Sequence, residues 1–179
     1  MINAPNAVTL LRVFIVPVFI MAIFYRDFKL ALFVFLIAAL SDALDGFLAR
    51  RLSQVTAIGI ILDPIADKAL IDSGFALLSY IDRIIPVWLA VIVLSRDVLL
   101  LFGGWLLATF GKLDKIRPTL LGKVTAFSQF FTLFLTLLNL NCSICPKYCL
   151  SGVFSLTGLL TILSAFDYAF RGLKEISSA

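Results

Sequence analysis

Six apolar stretches of about 18–25 residues, separated by short polar connectors, constrain this chain more than any other feature. They cover roughly Ala7–Tyr25, Leu30–Arg51, Ala57–Tyr80, Ile84–Phe110, Thr119–Leu140 and Leu150–Phe170. At 1.5 Å per residue, a helix of that length crosses a hydrocarbon layer about 30 Å thick. The connectors are Arg26–Lys29, Ser53-Gln54, Asp82-Arg83, Gly111–Pro118 and Asn141–Cys149, and none is long enough to divide domains. The pattern predicts an all-α integral membrane protein, a single domain over residues 1–179 with six transmembrane helices. No period of 20–50 residues indicates a repeat array.

Composition excludes the soluble alternatives. Hydrophobic residues make up 61% of the chain and charged residues 15%, too few polar groups to cover a water-facing surface. The same figures exclude intrinsic disorder. The net charge of +4 does not mark a nucleic-acid binder, because the basic residues are dispersed. There is no histidine, so imidazole general bases and His-metal sites are absent. The three cysteines, Cys142, Cys145 and Cys149, are too few for a disulfide framework or a four-Cys zinc site. They read as loop filling, with a disulfide or a three-Cys metal site as the alternatives.

The first stretch does not read as a cleaved leader. No basic residue precedes it, Arg12 and Pro17 lie within it, and no small-x-small site follows. Ala4-Pro5-Asn6, then Thr9 and Arg12, reads instead as a short interfacial helical start leading into a span. With six spans the termini share a face with the second and fourth connectors. That face carries Arg50, Arg51, Lys112, Lys115, Arg117, Lys123, Arg171 and Lys174, against Arg26, Lys29, Arg83 and Lys147 on the other. Positive residues favour the cytoplasmic side, so both termini are expected in the cytoplasm.

Spans two and three hold four acids that an apolar helix should exclude: Asp42, Asp45, Asp63 and Asp67. Each costs roughly 2.5–3.5 kcal/mol at mid-bilayer on an insertion scale. Asp42 and Asp45 stand three apart and Asp63 and Asp67 four apart, so each pair shares one helical face. Asp42 lies about 13 Å along the axis from Arg51, and Asp63 about 9 Å from Ala57, by the same 1.5 Å rise. The four carboxylates can therefore meet at one depth beneath the cytoplasmic surface, on helices expected to be antiparallel neighbours. Hard oxygen donors without His or Cys suit Mg²⁺, Mn²⁺ or Ca²⁺. Gly46, Ala49 and Gly59 clear bulk beside the acids, either for close helix packing or for a flat ligand. Arg50 and Arg51 also serve as a positive flank. Two further i,i+4 pairs, Lys68 with Asp72 and Asp167 with Arg171, read as structural ion pairs.

The run from Asp42 to Asp67, D-x2-D-G-x2-A-R-x8-G-x3-D-x3-D, resembles the signature of the CDP-alcohol phosphatidyltransferases at all eight fixed positions. The resemblance extends to chain length and span number. It implies a phosphatidyl transfer from a CDP-linked alcohol, usually CDP-diacylglycerol, to an acceptor hydroxyl, with release of CMP. It implies that Asp42, Asp45, Asp63 and Asp67 hold Mg²⁺ or Mn²⁺ against the donor pyrophosphate, and that Asp67 takes the acceptor proton. Asp45, Gly46, Ala49, Arg50 and Gly59 would receive the nucleotide donor. A homodimer in the inner or plasma membrane, with its active site facing the cytoplasm, is also implied.

The acceptor is read from other segments. Pro5-Asn6-x2-Thr9-x2-Arg12 and Leu62–Lys68 are similar to the family's phosphatidylglycerophosphate synthases, which use glycerol 3-phosphate. Ser95-Arg96-Asp97-Val98 departs from the Arg-Glu usual there. Together with Ile116-Arg117-Pro118-Thr119 and Lys123-Val124, it looks as much like the eukaryotic-type cardiolipin synthases, whose acceptor is phosphatidylglycerol. Arg117, Lys123 and Arg96 are the candidate acceptor-binding residues. An ion or proton transporter is the reading from another class. It fits less well, because the acids sit near one face and no inverted repeat is visible.

Overall fold

The computed structural model describes the backbone at residues 4–52, 57–81, 83–109 and 119–177. Side chains are described at 14–41, 68–81, 83–103, 109, 119–146 and 148–171. Six helices follow one another: α1 (Ala4–Phe24), α2 (Phe28–Leu52), α3 (Ala57–Tyr80), α4 (Val87–Thr109), α5 (Leu120–Cys142) and α6 (Lys147–Ser177). Each matches one apolar stretch of the sequence. Among the described residues, α5 and the Tyr148–Arg171 part of α6 are long and apolar enough to cross a membrane.

The turns are built from local polar chemistry. After α1 the chain reverses through Arg26 in the left-handed region, at φ 61°. Asp27 then caps α2, its Oδ1 accepting from the Leu30 amide at 3.1 Å. Thr119 caps α5 in the same way, accepting from the Gly122 amide at 3.0 Å. Helix α5 closes on Ser143, left-handed at φ 49°, whose amide donates to the Asn139 carbonyl. The Asn139 side chain then accepts from the Cys145 amide at 2.8 Å, which fixes the turn into α6.

Packing follows a chain of neighbours. Helix α1 packs on both α2 and α3, α3 on α4, α4 on α6, α6 on α5, and α5 on α2. An aromatic column ties α1, α2 and α5 together: Phe19 against Phe35 at 6.1 Å, and Phe35 stacked on Phe130 at 4.8 Å. Asn141 donates across to the Phe28 carbonyl at 2.9 Å, joining the end of α5 to the start of α2. Small residues permit the closest approaches. A Cβ at Gly74 would stand 2.7 Å from the buried Leu133, and one at Gly158 would stand 2.5 Å from the Trp88 ring.

Polarity is distributed as it is in a protein solvated by lipid. Buried positions include Thr125, Gln129, Thr132, Thr136, Thr157, Thr161 and Ser164. Exposed positions include Phe14, Phe33, Leu40, Phe102, Phe127 and Phe166. So extensive an exposed apolar surface is unfavourable in water and favourable against acyl chains.

Candidate active site

The polar groups on α3, α4 and α6 converge at the level of Lys68. Asp97 is 3% exposed, and its carboxylate accepts hydrogen bonds from two cations on one oxygen. Arg96 Nη1 donates to it at 2.5 Å, and Lys68 Nζ donates from α3 at 3.2 Å. Arg96, 5% exposed, also donates from Nη2 to Ser164 Oγ on α6 at 3.2 Å. Its guanidinium lies 5.9 Å from the centre of the Tyr168 ring. The Tyr168 hydroxyl in turn lies against Gly122, in the first turn of α5. One end of the bundle thus links α3, α4, α6 and the start of α5.

The cluster leaves polar atoms unspent. Arg96 Nε, Asp72 Oδ1 and Asp167 Oδ2 are buried without a hydrogen-bond partner. Such groups are costly in a low-dielectric interior unless water or a ligand meets them.

The expected i,i+4 pairs divide. Arg171 Nε donates to Asp167 Oδ1 at 2.9 Å, as the spacing predicts. Lys68 does not bond Asp72; its hydrogen bond goes across to Asp97 on α4. The antiparallel packing of α3 on α4 brings a buried carboxylate within reach, and Asp72 is left beside the pair.

The expected site residues are placed unevenly. Asp42, Asp45, Gly46, Ala49 and Arg50 lie on α2, and Gly59, Asp63 and Asp67 on α3; their side chains are outside the described residues. The helical backbone keeps Asp42 with Asp45, and Asp63 with Asp67, on shared faces. Arg117 lies outside the described residues altogether. Lys123 is exposed in the first turn of α5, and Arg96 is enclosed by Asp97 and Ser164. The direct α2–α3 contact expected from their short connector is not among the principal packings of the described residues, where α1 lies against both helices.

All three cysteines are free. Cys142 and Cys149 are exposed and Cys145 is half-buried. Among the described residues no group of three acidic, Cys or His side chains is arranged to hold a metal.

Sequence reasoning reads Asp97 only as part of the Arg96-Asp97 run that bears on the acceptor, and does not single out Ser164 or Tyr168. Arg96-Asp97 as two charges inside an apolar helix is a signal by itself. Ser164 and Tyr168 carry none, because their partner lies on another helix.

The sequence profile of the CDP-alcohol phosphatidyltransferases matches residues 2–166. The chain belongs to that family. It is 33% identical to the CDP-diacylglycerol--glycerol-3-phosphate 3-phosphatidyltransferase of Aquifex aeolicus, over 97% of this chain and 98% of the relative. It is likewise 33% identical to a probable phosphatidylglycerophosphate synthase of Mycobacterium tuberculosis, over 97% of this chain and 83% of the relative. A human cardiolipin synthase (CMP-forming) is 32% identical over 96% of this chain, which covers 62% of that protein. This phosphatidyltransferase therefore has relatives of similar identity whose names give two different activities.

Proposed function

We propose that this phosphatidyltransferase moves a phosphatidyl group from CDP-diacylglycerol to glycerol 3-phosphate, releasing CMP. The observation that carries this reading is the near end-to-end match to the Aquifex aeolicus relative, together with the eight signature positions on α2 and α3. Cardiolipin synthesis, with phosphatidylglycerol as acceptor, is the second reading. Arg96-Asp97 in α4 and the similarity to the human cardiolipin synthase favour it.

The donor set fits a hard divalent cation, since α2 and α3 each present two carboxylates on one face and no softer ligand. Asp42, Asp45, Asp63 and Asp67 would hold Mg²⁺ or Mn²⁺. Bound there, the cation would neutralise charge on the donor pyrophosphate. Gly46, Ala49 and Gly59 leave room for the cytidine, and Asp45 and Arg50 bind the donor. Asp67 accepts the acceptor hydroxyl proton as the oxygen attacks the phosphorus bearing diacylglycerol, and the bond from that phosphorus to CMP breaks. A phosphomonoester dianion needs cations, which Lys123 and Arg117 supply at the start of α5. Arg96 adds its buried, unpartnered Nε.

All six helices span the bilayer in this reading, after an interfacial start of α1. The chain forms one membrane domain, paired as a homodimer, with the site facing the cytoplasm of an inner or plasma membrane.

A product assay with labelled CDP-diacylglycerol and a panel of acceptors tests the assignment. Glycerol 3-phosphate is expected to give labelled phosphatidylglycerophosphate and stoichiometric CMP, dependent on Mg²⁺ or Mn²⁺. Product from phosphatidylglycerol alone would transfer the assignment to the second reading. No CMP with any acceptor would sink both.

A further inference from the structure

Lys68 follows Asp67 directly, so an ammonium sits one residue from the acid stripe of α3. On a helix, Lys68 lies about 100° round from Asp67 and about 140° from Asp63. A free lysine at that distance, away from bulk water, would repel a divalent cation approaching the stripe. The structure shows where the charge goes instead. Lys68 Nζ is drawn to Asp97 Oδ1 on α4, at 3.2 Å. Asp97 is nearly fully buried, and Arg96 Nη1 occupies the same oxygen.

A purely structural purpose explains this arrangement poorly. Apolar residues already hold α3 in the core, with Phe75, Leu78, Leu89 and Val93 buried along α3 and α4. Asp72 stands beside the pair as a second carboxylate, yet neither Lys68 nor Arg96 is hydrogen-bonded to it; both converge on Asp97. Buried ion pairs are also weak stabilisers, because desolvation offsets their attraction. Joining Lys68 to this pair has a clearer consequence for the charge beside Asp67 than for stability.

We propose that Asp97 is a positioning residue for phosphatidyl transfer: it holds the Lys68 ammonium on α4, away from Asp63 and Asp67, and so keeps their face anionic for the divalent cation. The proposal rests on the reading of those acids as cation ligands.

The test uses the purified full-length chain in detergent, with Mn²⁺ as the probe. Mn²⁺ binding is followed by electron paramagnetic resonance without substrates, and CMP release is titrated with Mg²⁺. Asp97→Asn is expected to weaken Mn²⁺ binding about tenfold and to raise the half-activating Mg²⁺ concentration by a similar factor. Asp97→Glu should stay within about twofold of wild type, since it keeps the charge. The decisive arm is Lys68→Met in the Asp97→Asn background, which removes the displaced charge and should restore Mn²⁺ affinity. A merely structural Asp97 would not be rescued this way. Unchanged Mn²⁺ binding in folded Asp97→Asn, or no recovery in the double variant, overturns the proposal. Should Asp97→Asn fail to fold, Lys68→Met alone decides: it should bind Mn²⁺ at least as tightly as wild type, and weaker binding overturns the idea. Wild-type protein that binds no Mn²⁺ overturns the reading of the acids, and this proposal with it. Wild-type binding that Asp97→Asn leaves untouched overturns this proposal alone.

Discussion

Helices α5 and α6 and helices α2 and α3 both carry polar groups inside apolar segments, but they settle them in opposite ways. Between α5 and α6 the groups are neutral and spend their hydrogen bonds at home. Thr125, Thr132, Thr136 and Thr161 each donate to the carbonyl four residues earlier. Across the interface, Thr132 and Thr157 share a bond of 2.7 Å, and Gln129 donates to Thr161 at 3.3 Å. Along α2 and α3 the groups are acids, Asp42 with Asp45 and Asp63 with Asp67, each pair on one helical face. A hydroxyl that reaches a carbonyl on its own helix needs nothing further. Four such acids, in the proposed function, take a cation from outside the chain. On the proposed function, charged polarity within an apolar helix serves the reaction, whereas neutral and satisfied polarity is a packing device.

The largest expected effect breaks the comparison at its charged side. Asp63→Asn and Asp67→Asn should each reduce CMP release by about a hundredfold or more, since in the proposed mechanism each removes a cation ligand and the second also removes the proton acceptor. Neither should lower the thermal-unfolding midpoint, because an amide is less costly in a bilayer than a carboxylate. Turnover and melting measured on the same preparations check both halves. Near-wild-type turnover in both variants would place the chemistry elsewhere. A collapse in stability would make the acids structural.

Much of this division was legible in the sequence, for reasons of range. The helices were, because apolar length is a local property and the breakers lie between the stretches. The helical register of the acids on α2 and α3 was, because three- and four-residue spacings fix a face without knowledge of any neighbour. The α5–α6 seam had a signal too: Thr125, Gln129, Thr132 and Thr136 recur at intervals of four, three and four, as do Thr157, Thr161, Ser164 and Tyr168. Read only for hydropathy, those residues disappear into the apolar background. The destination of Lys68 was not legible. Asp72 at i+4 was the local choice, and Asp97 wins because α4 folds back against α3. The acceptor also escaped, since Arg96 is defined by contacts on α6 as much as by its own span.

The neutral seam yields a smaller effect of opposite sign. Thr157→Val keeps the shape and deletes the hydroxyl bonded to Thr132. Because Thr132 keeps its bond to the Ser128 carbonyl, the loss should be about 0.6 kcal/mol and no more than about 1.7 kcal/mol. Turnover per folded molecule should not change. Reversible unfolding in mixed detergents measures the first, and CMP release the second. A large fall in turnover would mean that the seam takes part in the reaction.

The smallest effect concerns the turn that closes the seam. Burial and the neighbouring Cys149 push the Cys145 thiol above its usual range. Alkylation proceeds through the thiolate, so a raised thiol reacts more slowly at any pH below its own pKa. The sign is therefore fixed: at pH 7.5 Cys145 should lag behind the exposed Cys142 by about threefold or more, and the gap should close as the pH rises. Brief treatment of the wild-type protein with N-ethylmaleimide, followed by peptide mass spectrometry, separates the rates. Equal rates for Cys145 and Cys142 at pH 7.5 would mean that Cys145 is neither shielded nor perturbed in the turn, and that the hold of Asn139 on its amide does not carry to the side chain.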